Sequence, residues 1–268
     1  MEISASLVRE LREKTGVGMM DCKKALTETQ GDFEAAVKYL REKGLATASK
    51  KADRETSEGR IFTAVSGKNG VILELNCETD FVAGNETFIA LGTTIANAVL
   101  AGGQTTVDQL SGLSVDGKDL QAVLSEAVLK LGENIGVKRF ERFESQGALG
   151  HYVHSNGKIG VLVDFDQAVA EDLGKDVAMQ VAASNPMVVQ ASQVPAEELE
   201  KEKEIIRNKA VNEGKNPNFL DKVIEGRLQK FYKEICLVEQ EFIKDPSKSV
   251  KEVLGAAAVV RFSRYSLV

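Results

Sequence analysis

Apolar residues recur at helical spacing three times within the first fifty positions. Leu7, Val8 and Leu11 run up to Gly16; Met19, Met20, Cys22, Ala25 and Leu26 run up to Gly31; Phe33, Ala36, Val37 and Leu40 run up to Gly44. Asp32 suits the N-cap of the third segment, and each glycine can supply a left-handed turn after its helix. The pattern predicts a three-helix unit over residues 1–53, short enough to need support from a partner or from the rest of the chain. Residues 50–59 then turn polar, with Lys50, Lys51, Asp53, Arg54, Glu55 and Glu58, and read as a linker.

After the linker the period changes. Residues 61–65, the turn residues Gly67-Lys68-Asn69-Gly70 and residues 71–75 predict a β-hairpin. The arrangement returns in residues 149–154, Ser155-Asn156-Gly157-Lys158 and residues 159–165, and Gly70-Val71-Ile72-Leu73-Glu74-Leu75 matches Gly160-Val161-Leu162-Val163-Asp164-Phe165 in kind. Each hairpin gives way to an alanine-rich helical stretch, 88–101 and 168–183. The expected fold class is α+β: a core of two related hairpin-plus-helix halves, residues 54–140 and 141–268, sharing one apolar interior.

Residues 195–235 form a charged helical stretch broken at Gly214-Lys215-Asn216-Pro217. Leu199, Ile205 and Ile206 on one arm, and Leu220, Val223, Ile224, Leu228 and Phe231 on the other, predict an antiparallel helical hairpin projecting from the second half. Its stripes cover each other or make a protein contact, a homodimer through the hairpin included. Short strand-like pieces follow at 235–238 and 257–262, with Pro246-Ser247 expected to start a helix between them.

Composition narrows the function classes. Lys and Arg total 34 against 40 Asp and Glu, a net charge of −6, and the sequence pI is about 5.3, which argues against direct nucleic-acid binding as the main task. No stretch has the length and apolarity of a membrane helix, and the first residues lack the layout of a signal peptide, so no membrane role and a cytoplasmic location are expected. Cys22, Cys77 and Cys236 fall in no paired motif, so they read as reduced thiols and not as a disulfide framework or a metal site.

Motifs for nucleotide, zinc, hydrolase and calcium chemistry are absent, which points away from an enzyme, a metal or a cofactor. The two histidines, His151 and His154, are expected on opposite faces of one strand and so not as joint ligands. Asp164 and Asp166 share a strand face and read as solvated edge carboxylates. The segment Asn76-Cys77-Glu78-Thr79-Asp80-Phe81-Val82-Ala83 links a strand to a helix, with Thr79 and Asp80 as capping residues. By composition Phe81 reads as a core anchor under that turn; the competing reading is an aromatic presented at a loop tip beside a carboxylate. Met19 and Met20 cannot both face one small core, so a place on an adaptable binding surface for at least one of them stands beside a core role.

The segment Thr15-Gly16-Val17-Gly18-Met19-Met20-Asp21-Cys22-Lys23-Lys24-Ala25-Leu26, together with residues 76–83, resembles the paired signatures of the elongation factor Ts family. Collinear support comes from Gly132-Glu133-Asn134, Ile159-Gly160-Val161-Leu162-Val163, Val181-Ala182-Ala183-Ser184 and Val223-Ile224-Glu225-Gly226-Arg227. The resemblance spans nearly the whole chain. It implies a guanine-nucleotide exchange factor for elongation factor Tu, without covalent chemistry or cofactor, in which residues 1–53 are a ubiquitin-associated-like domain and 195–235 a coiled-coil hairpin. It further implies that Asp80 and Phe81, flanked by Thr79 and Val82, intrude on the partner's magnesium and phosphate site. Arg12, Met19 and Met20 would touch a helix of the partner's GTPase domain, and His154 another of its domains. Some members continue into a further C-terminal helix, whose contacts are not expected here, and Gln180 stands where some carry a histidine, so it receives no role. The competing expectations are an adaptor acting through residues 1–53 alone and a small-molecule enzyme with a site between the halves.

Overall fold

Three helices open the chain in the computed structural model, which describes residues 3–215 and 220–267. α1 (Ala5–Thr15) is capped by Ser4 and closed by Gly16 at φ 67°; α2 (Met19–Glu28) follows; α3 (Phe33–Lys51) is capped by Asp32, which accepts from the Ala35 amide. Val8, Leu11, Val17, Cys22, Ala25, Leu26, Ala36 and Leu40 make their common interior. The chain continues through β1 (Glu58–Ser66), β2 (Asn69–Cys77), α4 (Asp80–Ala83), α5 (Glu86–Gly102), β3 (Ser114–Val115), β4 (Lys118–Asp119), α6 (Leu120–Leu131) and β5 (Gly136–Glu144). The second half holds β6 (Ala148–Val153), β7 (Ile159–Phe165), α7 (Glu171–Ser184), α8 (Ala196–Asn212), α9 (Leu220–Ile235), β8 (Glu241–Phe242), β9 (Asp245–Ser249), α10 (Val250–Leu254) and β10 (Val259–Ser266).

The expected helix stop at Gly44 does not occur. Gly44 is buried where α3 meets α6, and a Cβ there would sit 3.2 Å from the Ser125 carbonyl oxygen, so this glycine serves close helix packing and not a left-handed turn. Leu129 of α6 packs on the helical unit's interior and Ala48 of α3 on the next one, so the three helices lean on the first half. The linker shrinks accordingly, with Lys50 and Lys51 in α3 and Glu58 and Gly59 in β1.

Both hairpins form. Ser66 faces Asn69 across a two-residue turn with Gly67 at φ 56°, and β6 pairs with β7 from Ala148–Phe165 to Val153–Gly160. Each gains a third antiparallel strand on the far side of its central strand, giving the orders β1-β2-β5 and β6-β7-β10. Along the central strands the residues alternate between two interiors. Val71, Leu73 and Leu75 face the layer with α5 and α6, and Val161, Val163 and Phe165 face α7, whereas Ile72 and Leu162 meet between the sheets with Ile61, Phe143 and Tyr265. The expected single shared interior is thus two separate ones joined by a thin layer between the sheets. Gly70 and Gly160 let the sheets close: a Cβ on Gly70 would lie 2.8 Å from Leu149 Cδ1, and one on Gly160 would strike Ile61.

The third strands carry a repeat that the hairpins alone do not reveal. Val137-Lys138-Arg139-Phe140-Glu141-Arg142-Phe143 matches Val259-Val260-Arg261-Phe262-Ser263-Arg264-Tyr265, and each strand has its bulge at the same place. Arg139 pairs with the buried Glu74 at 2.7 Å and stacks 4.1 Å over the Tyr265 ring; Arg261 pairs with the buried Asp164 at 3.1 Å and stacks 4.0 Å over Phe143. Asp164 is therefore no solvated edge carboxylate, because the repeat supplies it with a guanidinium across the strand pair. Asp166, past the end of β7, accepts from the Ala258 amide at 2.8 Å.

Near the end, Pro246-Ser247 lies in β9, an edge position a proline tolerates, and the short helix starts at Val250 under a reciprocal Ser249–Glu252 cap. Residues 235–238 reduce to one isolated parallel bridge, Cys236 to Val188: Ile235 ends α9 and a 3₁₀ turn follows. α8 and α9 pack on each other, burying Ile206, Ala210 and Ile224. Gly214, at φ 70°, follows α8, while Asn216 and Pro217 of the expected break lie outside the described residues.

Candidate functional site

β2 delivers the chain, buried through Cys77, to a bend at Glu78 and then to Thr79. Thr79 (φ −128°, ψ 156°) caps the single turn α4, its hydroxyl accepting from the Val82 amide, and the Asn85 side chain accepts from the Thr87 amide to start α5. One helical turn between two caps fixes which way each residue faces. Ala83 is buried, Val82 packs half-buried on the first half's interior, and Asp80 and Phe81 are turned out, the ring 86% exposed. The core-anchor reading of Phe81 is overturned for that reason: the helical period spends its inward positions on Val82 and Ala83. Among the described residues nothing holds the Asp80 carboxylate, which lies in the first turn of α4.

Beneath this tip, Glu133 between α6 and β5 takes the Glu78 and Thr79 amides on Oε2, both at 3.0 Å, and the Thr79 hydroxyl on Oε1 at 2.6 Å. Glu78 in turn accepts from the Asn134 amide at 2.7 Å and lies 3.4 Å from the Arg54 guanidinium. The Cys77 thiol donates to the Thr79 carbonyl, and burial first, with the Glu133 carboxylate second, pushes it up to about 12. Burial also raises Cys22 and Cys236. All three thiols are buried and free, so the folded protein is expected to react with a water-soluble disulfide reagent at pH 8 at least about tenfold more slowly than the unfolded chain; a fast thiol in the native state contradicts this burial.

The other candidate positions stand on two further elements. Arg12 in the last turn of α1 and Met19 and Met20 at the start of α2 flank the Gly16–Gly18 corner, and all three are exposed, the methionines by 51% and 75%. Val17 fills the end of the small interior, where the Cys22 thiol meets its carbonyl, and so leaves both methionines outside. His154 is exposed just past β6, its ring edge-on to Tyr152 at 6.4 Å, while His151 within β6 meets the Thr63 hydroxyl of β1 at 3.0 Å; the two point apart as expected, though only His151 lies in the strand, which stops at Val153.

The structure brings the Phe81 and His154 regions toward one strand. In β1 the Ile61 amide donates to the Gly157 carbonyl at 2.7 Å, seating the second hairpin's tip, while the neighbouring Arg60 reaches the Ala83 carbonyl at 3.5 Å and packs on Gly157. Arg12, Met19 and Met20 connect to the tip only indirectly, through α3, α6 and the residues following α6. Glu133 and Arg60 lie outside the site positions expected from the sequence; both act on partners far away in sequence, and the local cue to the first is its place between Gly132 and Asn134. Among the described residues no three His, Cys, Asp or Glu side chains are grouped to hold a metal ion, and no helix is long and apolar enough to cross a membrane.

Residues 78–268 match the protein family described as Elongation factor TS. The chain is 49% identical to an Elongation factor Ts of Clostridium perfringens strain SM101, over 98% of this chain and 92% of the relative. It is 46% identical to an Elongation factor Ts of Clostridium botulinum strain Alaska E43, with the same shares covered.

Proposed function

This chain belongs to the elongation factor Ts family, and on that premise we propose that it promotes release of GDP from elongation factor Tu, acting in the cytoplasm as an exchange factor that makes and breaks no covalent bond and uses no cofactor. The observation that carries the reading is the outward Phe81 ring on a turn capped at both ends, with the Asp80 carboxylate beside it. A large apolar side chain held in water by its own fold is available for a partner's pocket. Asp80 and Phe81 enter the partner's magnesium and phosphate site; Thr79 sets the turn that aims them, and Val82 seats it.

Exchange needs differential binding. A factor that binds nucleotide-free and nucleotide-loaded partner equally shifts nothing, so the intruding pair must fit only the opened site. Arg12, Met19 and Met20 supply a second contact, on a helix of the GTPase domain, and His154 a third, on another domain. Residues 1–53 then serve as the ubiquitin-associated-like unit and 195–235 as the coiled-coil hairpin, whose exposed Ile205 and Val211 leave a face for a second copy of the chain. Seating of α3 on α6 weighs against an adaptor that works through residues 1–53 alone.

The test is stopped-flow release of a fluorescent GDP from elongation factor Tu. Added chain is expected to accelerate it in proportion to concentration before saturating; no acceleration overturns the proposal. In the same assay Met20→Ala is expected to raise the half-saturating concentration about 5- to 30-fold, the range of a lost contact of ~1–2 kcal/mol, with an unchanged thermal midpoint. A lowered midpoint with intact half-saturation would place Met20 in the helical interior.

A further inference from the structure

Resting on the exchange reading above, we propose that Glu133 is a positioning residue for exchange: its carboxylate holds the Phe81 turn in its presented form and fixes that turn relative to the three-helix unit. The backbone leaves this work to a side chain. Glu58–Cys77 is the last pair of the β1–β2 ladder, so the Glu78 amide has no partner strand, and the Thr79 amide precedes the first turn of α4 and has no helical acceptor. Glu133 Oε2 takes both, and an anion received by two successive amides forms charge-assisted hydrogen bonds stronger than neutral ones.

The remaining oxygen sets the cap's polarity. Because the Thr79 hydroxyl gives its only proton to Glu133 Oε1, its lone pairs are left to accept the Val82 amide. The chain of dependence therefore runs from Glu133 through the cap to α4 and the facing of Phe81. A four-residue helix has little stability of its own, so such a cap decides whether the turn persists.

The flanking residues reach the other way. Gly132, left-handed at φ 83°, ends α6 and its carbonyl accepts from Lys51 at the end of α3, while the Asn134 side chain donates to the Ala52 carbonyl at 3.2 Å and the Arg54 carbonyl at 2.9 Å. One short connection thus grips both the turn bearing Phe81 and the helix that leads back to Met19 and Met20.

A double-mutant cycle in the GDP-release assay, with amide hydrogen exchange on the free protein, tests this. Glu133→Ala is expected to lower the maximal stimulated rate about tenfold, the size of one lost charged hydrogen bond, and less than about twofold further when Phe81 is already alanine. Glu133→Gln is expected to stay within about threefold of the parent, since its amide oxygen still accepts two N–H groups and its amide nitrogen can donate to the Thr79 hydroxyl. In Glu133→Ala the Glu78 and Thr79 amides should exchange at least about tenfold faster while those of β2 are unchanged. If Glu133→Ala does not fold, Thr79→Val takes its place in the cycle and should show a smaller loss with the same dependence on Phe81. Additive losses, or unaltered protection of the two amides, overturn the proposal; a parental rate for Phe81→Ala alone overturns the exchange reading beneath it.

Discussion

Replacing Phe81 by alanine is expected to slow stimulated GDP release from elongation factor Tu by about two orders of magnitude while leaving the thermal midpoint of the chain unchanged. A phenylalanine side chain fully removed from water hides ~150–250 Å², worth on the order of 4–6 kcal/mol at ~25 cal/mol per Å². Incomplete burial and the cost of association reduce this, and ~3 kcal/mol realised only in the opened partner is already a factor of about 100 in rate. The fold loses nothing comparable, because the ring is 86% exposed and the inward positions of its turn belong to Val82 and Ala83. Stopped-flow traces and a melting curve check the two halves of the statement. Unfolding of the variant would place the ring in the interior, and a parental release rate would remove it from the mechanism.

Gly150→Ala is expected to lower stability by about 2–3 kcal/mol, or a thermal midpoint drop of roughly 5–10 °C for a chain of this size. Here strand β6 lies against helix α7 backbone to backbone: a Cβ on Gly150 would sit 2.6 Å from the carbonyl carbon and 2.9 Å from the Cα of Gly174. No flexible side chain is there to move aside, so the strand or the helix must shift, and Phe165 and Val177 behind them are fully buried. Gly226→Ala on α9 is the matched control. Its Cβ would meet nothing within 4 Å, so helix propensity alone predicts a gain of about 0.5–1 kcal/mol. Differential scanning calorimetry of the pair measures both, and an unchanged midpoint for Gly150→Ala contradicts the close approach of α7 to β6.

Three glycines explain why some of this fold was legible in the sequence and some was not. Gly16 ends a helix in the left-handed region and reads that way, whereas Gly44 and Gly150 have the same letter but serve the approach of two backbones from distant parts of the chain. The hairpins were legible because short apolar, β-branched runs joined by a turn glycine are local signals. β5 was not, since Arg139, Glu141, Arg142 and Glu144 give it the composition of a loop; only the structure shows Arg139 answering Glu74 and stacking on Tyr265. Its signal lay in the repeat shared with β10.

At the site, residue types alone favoured Phe81 inside, and the resemblance favoured it outside. The one-turn geometry of α4 decides for the second. Glu133, 54 residues away from Thr79, is legible only as a member of the Gly132-Glu133-Asn134 motif, because nothing at its own position says which distant amides its carboxylate takes.

Whether the chain distinguishes two states of its partner is measured most directly by titrating it calorimetrically into elongation factor Tu, first stripped of nucleotide and then saturated with GDP and magnesium. By linkage, a factor that weakens nucleotide must be weakened by nucleotide to the same degree. The expected result is tight binding to the stripped partner and a loss of at least about 100-fold in affinity for the loaded one, matching the rate effect assigned to Phe81. Equal affinity for the two states would contradict the account.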